Sequence, residues 1–186
     1  MLQRNVNIVV VLAALLLSAA ILANSMSKPV GRDEQMYCAA GALMSQGKMI
    51  YRDFSYAAQL PCHPLLLATV YRVSGTSYYL LAGRLASTVC DILIVVCILG
   101  IYRCIFKAYP ISGGLLGLAG AALYVFNPLV DYANGYAWNH DIVILCVAAA
   151  FQLYISIDFA GRLQSVRIAA IGALLTFASC MRITTA

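Results

Sequence analysis

The sequence predicts an all-α membrane protein, a polytopic helical bundle with about five transmembrane helices. Three observations lead there. Of 186 residues, 63% are hydrophobic and only 10% charged, whereas a soluble domain carries roughly a quarter charged residues. The mean hydropathy is +0.87. Apolar stretches long enough to cross a bilayer recur along the chain, separated by short polar loops. Together these exclude a soluble globule. The formal charge of +5 comes from basic residues scattered singly among apolar runs, with no basic cluster or aromatic RNA platform, so no nucleic-acid partner is expected.

The first apolar run, residues 6–23, follows Arg4. It exceeds the apolar core of roughly 7–15 residues found in signal peptides and lacks a clean small-x-small cleavage site, so it reads as a retained first span. A polar segment, residues 24–77, follows. Within it Leu65 to Val73 is apolar but too short to span, which suits an interfacial helix. Spans are then expected at 78–106, 111–130, 142–160 and 168–185. Arg4, Arg103, Lys107, Arg162 and Arg167 then fall on one side, and Asp33, Glu34, Asp53, Asp131 and Asp141 on the other. The positive-inside rule makes the first side cytoplasmic, placing the N-terminus inside and the 24–77 loop in the exoplasm. A sixth span through Leu65 to Val73 would move Arg103 and Lys107 outside, against that pattern.

Gly113, Gly117 and Gly120 offer a small-residue face to a neighbouring helix. The chain closes at Ala186 with no polar tail after its last apolar run, so the expectation is the N-terminal part of a longer transmembrane domain. Of seven cysteines, Cys90, Cys97, Cys104, Cys146 and Cys180 lie in apolar stretches without CxxC spacing and read as small packing residues. Cys38 and Cys62 are the pair that could meet in an aqueous loop as a disulfide.

The chemistry concentrates in the exoplasmic loop. In Gly31-Arg32-Asp33-Glu34-Gln35-Met36-Tyr37 two adjacent acids stand where a helix begins. Asp33 suits an N-cap, Met36, Tyr37, Ala40, Leu43 and Met44 follow at helical spacing, and Gly47 ends the helix. Such a helix would lie along the membrane surface and present a carboxylate able to act as general base on a hydroxyl; a solvated helix start is the plainer alternative. The stretch from Tyr51 to Pro64, with Asp53, His63 and several aromatics, suits either sugar stacking or an interfacial belt, with His63 as a surface histidine. Arg84 and Asp91, seven residues apart in the second span, are functional candidates as intramembrane charges, or they pair to hold the bundle. Trp138-Asn139-His140-Asp141 opens the fourth span and can bring a second carboxylate and an imidazole to the surface of Asp33.

The Asp33-Glu34 pair with Tyr37, then Gly47 through Tyr51-Arg52-Asp53-Phe54, Pro61 and Pro64, then Arg84, resembles the GT-C integral membrane glycosyltransferases, within the group of protein O-mannosyltransferases and lipid A aminoarabinose transferases. The resemblance implies transfer of a sugar from a polyprenyl-phosphate donor to a lipid, glycan or protein acceptor at the exoplasmic face, usually with inversion; the loops carry no Asn-x-Ser/Thr site, which suits a bacterial inner membrane. It implies Asp33 as the catalytic base, Glu34 and Tyr37 shaping the site, Asp141 as a second family acid with His140 beside it, Arg84 facing the donor phosphate, and Asp53 within the loop motif. A divalent metal ion is the one cofactor it admits, without a ligand set. Met36 and Gln59-Leu60 stand where the aminoarabinose enzymes have a basic residue and a Glu-Lys pair, so their sugar does not carry over. The competing readings are a transporter or flippase using Arg84 and Asp91, and a scaffolding subunit whose loop binds a partner.

Overall fold

The computed structural model describes residues 2–56, 60–157 and 164–182. They form α1 (Leu2–Ser27), α2 (Arg32–Ser45), α3 (Cys62–Ser74), α4 (Tyr79–Ile105), α5 (Pro110–Val125), α6 (Pro128–Ala133), α7 (His140–Ile155) and α8 (Gln164–Met181). Among the described residues there is no strand, only an isolated bridge between Ile50 and Phe54. Three helices are long and apolar enough to cross a membrane: Gln3–Ser27, Tyr79–Ile105 and Gln164–Met181. The apolar helices α5 and α7 have 16 residues each, which is roughly 24 Å at 1.5 Å per residue, against a hydrocarbon core of about 30 Å.

The five long helices alternate in direction. At one end the last turn of α1 meets the loop before α7, with Ser25 Oγ donating to the carbonyl of Gly135 at 2.6 Å. There too the end of α8 meets the start of α7, where Asn139 Nδ2 donates to the Met181 carbonyl at 2.9 Å. At the other end Gly114 of α5 faces Val6 and Val10 of α1, and Gly113 lies against Tyr102 and Phe106. Gly100 of α4 backs onto Gln152 of α7, and Arg167 donates to the carbonyl of Ser156. The small-residue face anticipated on α5 is filled by α4: a Cβ at Gly113, Gly117 or Gly120 would lie 3.0–3.2 Å from Phe106 or Tyr102, so the backbones are as close as glycine permits.

α2 and α3 pack on each other and cap the first end. Their apolar core joins Tyr37, Ala40, Ala42, Tyr56, Leu67 and Tyr71. A second cluster, Leu17, Ile21, Val95 and Ala121, binds α1, α4 and α5, and a third, Val143, Cys146, Ala178 and Met181, binds α7 to α8. The loop end carries Asp33, Glu34, Asp53, Asp131 and Asp141 mixed with basic residues. The opposite end carries Arg4, Arg103, Lys107 and Arg167 and no acid among the described residues.

Several boundaries differ from expectation. The run 111–130 is not one helix. α5 stops at Val125, Asn127 caps a new turn by accepting from the Leu129 amide at 2.9 Å, and Pro128 opens α6. Proline cannot supply the amide that would continue α5, and hydropathy does not register that break. α7 ends at Ile155 and α8 at Met181; the remainder of the expected spans, at 158–160 and 183–185, lies outside the described residues, as does Arg162. Cys38 and Cys62 are both free thiols.

Candidate functional site

The loop end is built around Arg84, in the second turn of α4. Its five N–H groups are all used. Nε donates to Glu34 Oε1 at 2.8 Å and Nη2 to Glu34 Oε2 at 2.9 Å. Nη1 donates to the carbonyls of Ser25 (2.8 Å) and Lys28 (2.9 Å), and Nη2 also to that of Pro29 (3.0 Å). Glu34 in turn accepts from the amides of Ala137 (2.8 Å) and Gly31 (3.1 Å). The carboxylate is fully buried. Burial alone would raise its pKa, but the Arg84 hydrogen bonds and the two amides outweigh that and hold it below the ordinary range. One ion pair thus ties together the end of α1, the start of α2, the start of α4 and the loop before α7. Glu34, expected at the chemistry, holds the frame, and Arg84, expected at a donor phosphate, has no N–H left to offer one.

Asp33 stands next to this clasp but points out to solvent. Gly31, with extended backbone, is the N-cap of α2; Asp33 sits in the first turn. Neighbouring helical residues diverge by about 100°, so burying Glu34 under Arg84 turns Asp33 outward. Its charge reaches the imidazole of His140, the first residue of α7. That ring lies edge-on to Trp138, with centroids 4.5 Å apart, and a ring nitrogen accepts from Arg182 Nη1. A histidine accepting from a guanidinium is neutral at that nitrogen. Asp33, His140 and Arg182 therefore bring an exposed carboxylate, an imidazole and a guanidinium to one surface.

Asp141 does not join them. It is fully buried, with Oδ2 accepting from the Gly135 amide at 3.4 Å, and it faces inward toward Asp91. The same divergence of adjacent helical positions that puts His140 on the surface puts Asp141 beneath it. Asp91 does not pair with Arg84: its Oδ1 accepts from Asn134 Nδ2 at 2.6 Å and from Tyr124 OH at 3.1 Å. Asp91, Tyr124 and Asn134 line a cavity of about 60 Å³ between α1, α4, α5 and α6. Lys28 stretches over the Tyr136 ring, 4.9 Å from its centroid, and donates to the carbonyls of Asp131 and Asn134; burial lowers its pKa.

The other expected residues lie elsewhere. Tyr37 is buried edge-on against His63, with centroids 4.8 Å apart, and near Tyr56. His63 is a core residue, not a surface one; burial lowers its pKa to about 4. Asp53 is exposed beyond the far end of α2, where it accepts from the Met49 amide at 2.7 Å and from Arg52 at 2.9 Å, stapling a turn. Among the described residues no three His, Cys, Asp or Glu side chains converge as a metal would need.

Sequence reasoning overlooked Arg182, Lys28 and Asn134. Arg182 did carry a signal, being a lone cation at the end of an apolar run whose other flank already had Arg162 and Arg167. No protein-family model matches the chain, and comparison with curated proteins and with solved structures found no match.

Proposed function

We propose that the chain is part of a membrane glycosyltransferase that moves a sugar from a polyprenyl-phosphate donor to an acceptor hydroxyl at the exoplasmic face. In this reading all five long helices cross the membrane, α5 and α7 in a locally thinned bilayer, and the basic end lies in the cytoplasm. The observation that carries it is the exposed Asp33 carboxylate beside His140 and Arg182, seated on the fully bonded Glu34–Arg84 clasp. Asp33 takes the proton of the acceptor hydroxyl as its oxygen attacks the anomeric carbon. The bond to the donor phosphate breaks, and the charge left on that phosphate needs a fixed cation nearby, a part assigned to Arg182 because it contacts His140 next to Asp33. His140 accepts a hydrogen bond from the Arg182 guanidinium. The sugar, the acceptor and a bacterial inner membrane as location belong to the proposal through the resemblance in the loop.

The test is the Asp33→Asn variant in native membranes, supplied with a radiolabelled polyprenyl-phosphate sugar. Loss of transfer with unchanged membrane insertion is the expected result, and undiminished transfer removes Asp33 from the role.

A second reading, a transporter or flippase, is favoured by the burial of Asp91 and Asp141 together below the loop surface. It predicts that Asp91→Asn abolishes substrate movement across sealed vesicles while Asp33→Asn leaves it unchanged.

A further inference from the structure

Cys62 is the first residue of α3 and Cys180 lies in the last turn of α8, both at the loop end of the bundle. Cys62 packs against the cluster of Val143, Cys146, Ala178 and Met181 that joins α7 to α8, and its thiol meets that of Cys180. Cys180 is exposed and Cys62 half-buried. Elsewhere the cysteines are placed differently: Cys38 is buried with its thiol toward Tyr71, Cys97 and Cys146 are buried within helices, and Cys104 is at the opposite end.

We propose that Cys62 and Cys180 form a covalent cross-link, closed by a disulfide-bearing oxidant on the exoplasmic side. The proposal rests on the orientation inferred above, which exposes this end of the bundle to an oxidising compartment where disulfides form and persist. The exposed Cys180 loses its proton and its thiolate attacks the oxidant's disulfide, forming a mixed disulfide and releasing one oxidant thiolate. Cys62, deprotonated in turn, attacks the Cys180 sulfur of that mixed disulfide and releases the second thiolate. Two protons leave the cysteines, and the two electrons reduce the oxidant to its dithiol. Burial raises the pKa of the Cys62 thiol, so the exposed Cys180 is the sulfur that opens the exchange.

The cross-link fixes more than its own position. Arg182 follows Cys180 by two residues and touches His140, while the Met181 carbonyl between them accepts from Asn139. Fastening Cys180 to α3 therefore holds the end of α8, and the guanidinium it carries, against the surface that presents Asp33.

The experiment treats intact cells expressing the full chain with 5,5′-dithiobis(2-nitrobenzoate), an aromatic disulfide that does not cross membranes. Free thiols are then blocked with N-ethylmaleimide and non-reduced proteolytic peptides are read by mass spectrometry. The expected result is a Cys62 peptide linked to a Cys180 peptide, abolished by reduction, absent from Cys62→Ser and Cys180→Ser, and retained in Cys104→Ser. The same treatment in detergent separates the proposal from the orientation beneath it. Failure to link in detergent, with both thiols alkylated, overturns the pairing itself. Linkage in detergent but not on cells, with Cys180 protected from an impermeant maleimide, overturns the outward placement.

Discussion

Glu34 and Arg84, fifty positions apart, face each other as two parallel forks, with the guanidinium nitrogens 2.8 and 2.9 Å from the two carboxylate oxygens and almost no solvent access to either group. The fork geometry uses the one cation whose donors match a carboxylate in pairs. Three carbonyls and two amides occupy the remaining hydrogen-bonding positions, so neither charge is left uncompensated.

Removing one partner leaves the other buried and unpaired. Arg84→Leu and Glu34→Leu are each expected to destabilise the protein by about 3–5 kcal/mol, read as a lowered midpoint of unfolding in detergent. Arg84→Lys recovers little of this, because an ammonium cannot span both oxygens and three carbonyls. The double Leu variant is expected to lose less than the sum of the singles.

Acid should destabilise the protein in two stages. Burial holds the folded pKa of His63 at about 4, against 6.5 in the unfolded chain, so below 6.5 the unfolded state takes up the proton first. The stability that neutral His63 supports is complete above 6.5 and declines as pH falls toward 4, by about 3 kcal/mol at most. Glu34, whose folded pKa lies below its ordinary 4.5, contributes stability that is complete above 4.5 and is lost as pH falls further through the folded value. His63→Phe should therefore lessen the fall in melting temperature between pH 6.5 and 4 while the decline at lower pH persists.

Asp33→Asn should act on chemistry and not on folding. The side chain is exposed, so the change in stability should stay within about 0.5 kcal/mol, whereas the transfer rate should fall on the order of a hundredfold or more. Parallel melting curves and transfer assays on the same preparation check both.

Gly83 of α4 lies under the loop that precedes α7, and a Cβ there would stand 2.6 Å from that of Ala137. Alanine has no flexible end to give way, so Gly83→Ala must push the loop outward. The displaced Ala137 amide loses Glu34, and His140 shifts with the loop. The expected cost is about 1–3 kcal/mol, accompanied by reduced transfer, with thermal unfolding and activity measured together.

Helix positions were legible because apolar length is recorded residue by residue: α4, expected at 78–106, spans Tyr79–Ile105. The glycine face of α5 was equally plain, since small residues at that spacing have one use against a neighbouring helix. What sequence could not supply was the rotation of α2 and α7 about their axes. Two adjacent acids read alike, and only the arrival of Arg84 from fifty residues away determines that Glu34 is the buried one. In the same way His140 and Asp141 part company because α7 turns one toward Arg182 and the other toward Asp91. His63 misled for a similar reason, since flanking prolines mark a loop but do not reveal the aromatic cluster that closes over it.

The clasp also sets an order of assembly. Glu34 leaves the ribosome fifty residues ahead of the guanidinium it needs, an interval of roughly 3–10 s at 5–20 residues per second. During that wait the carboxylate lacks both the Arg84 guanidinium and the Ala137 amide that hold it in the folded chain. The segment around Glu34 therefore cannot settle until α4 has been made, so the loop end of the bundle is finished from the second long helix backward.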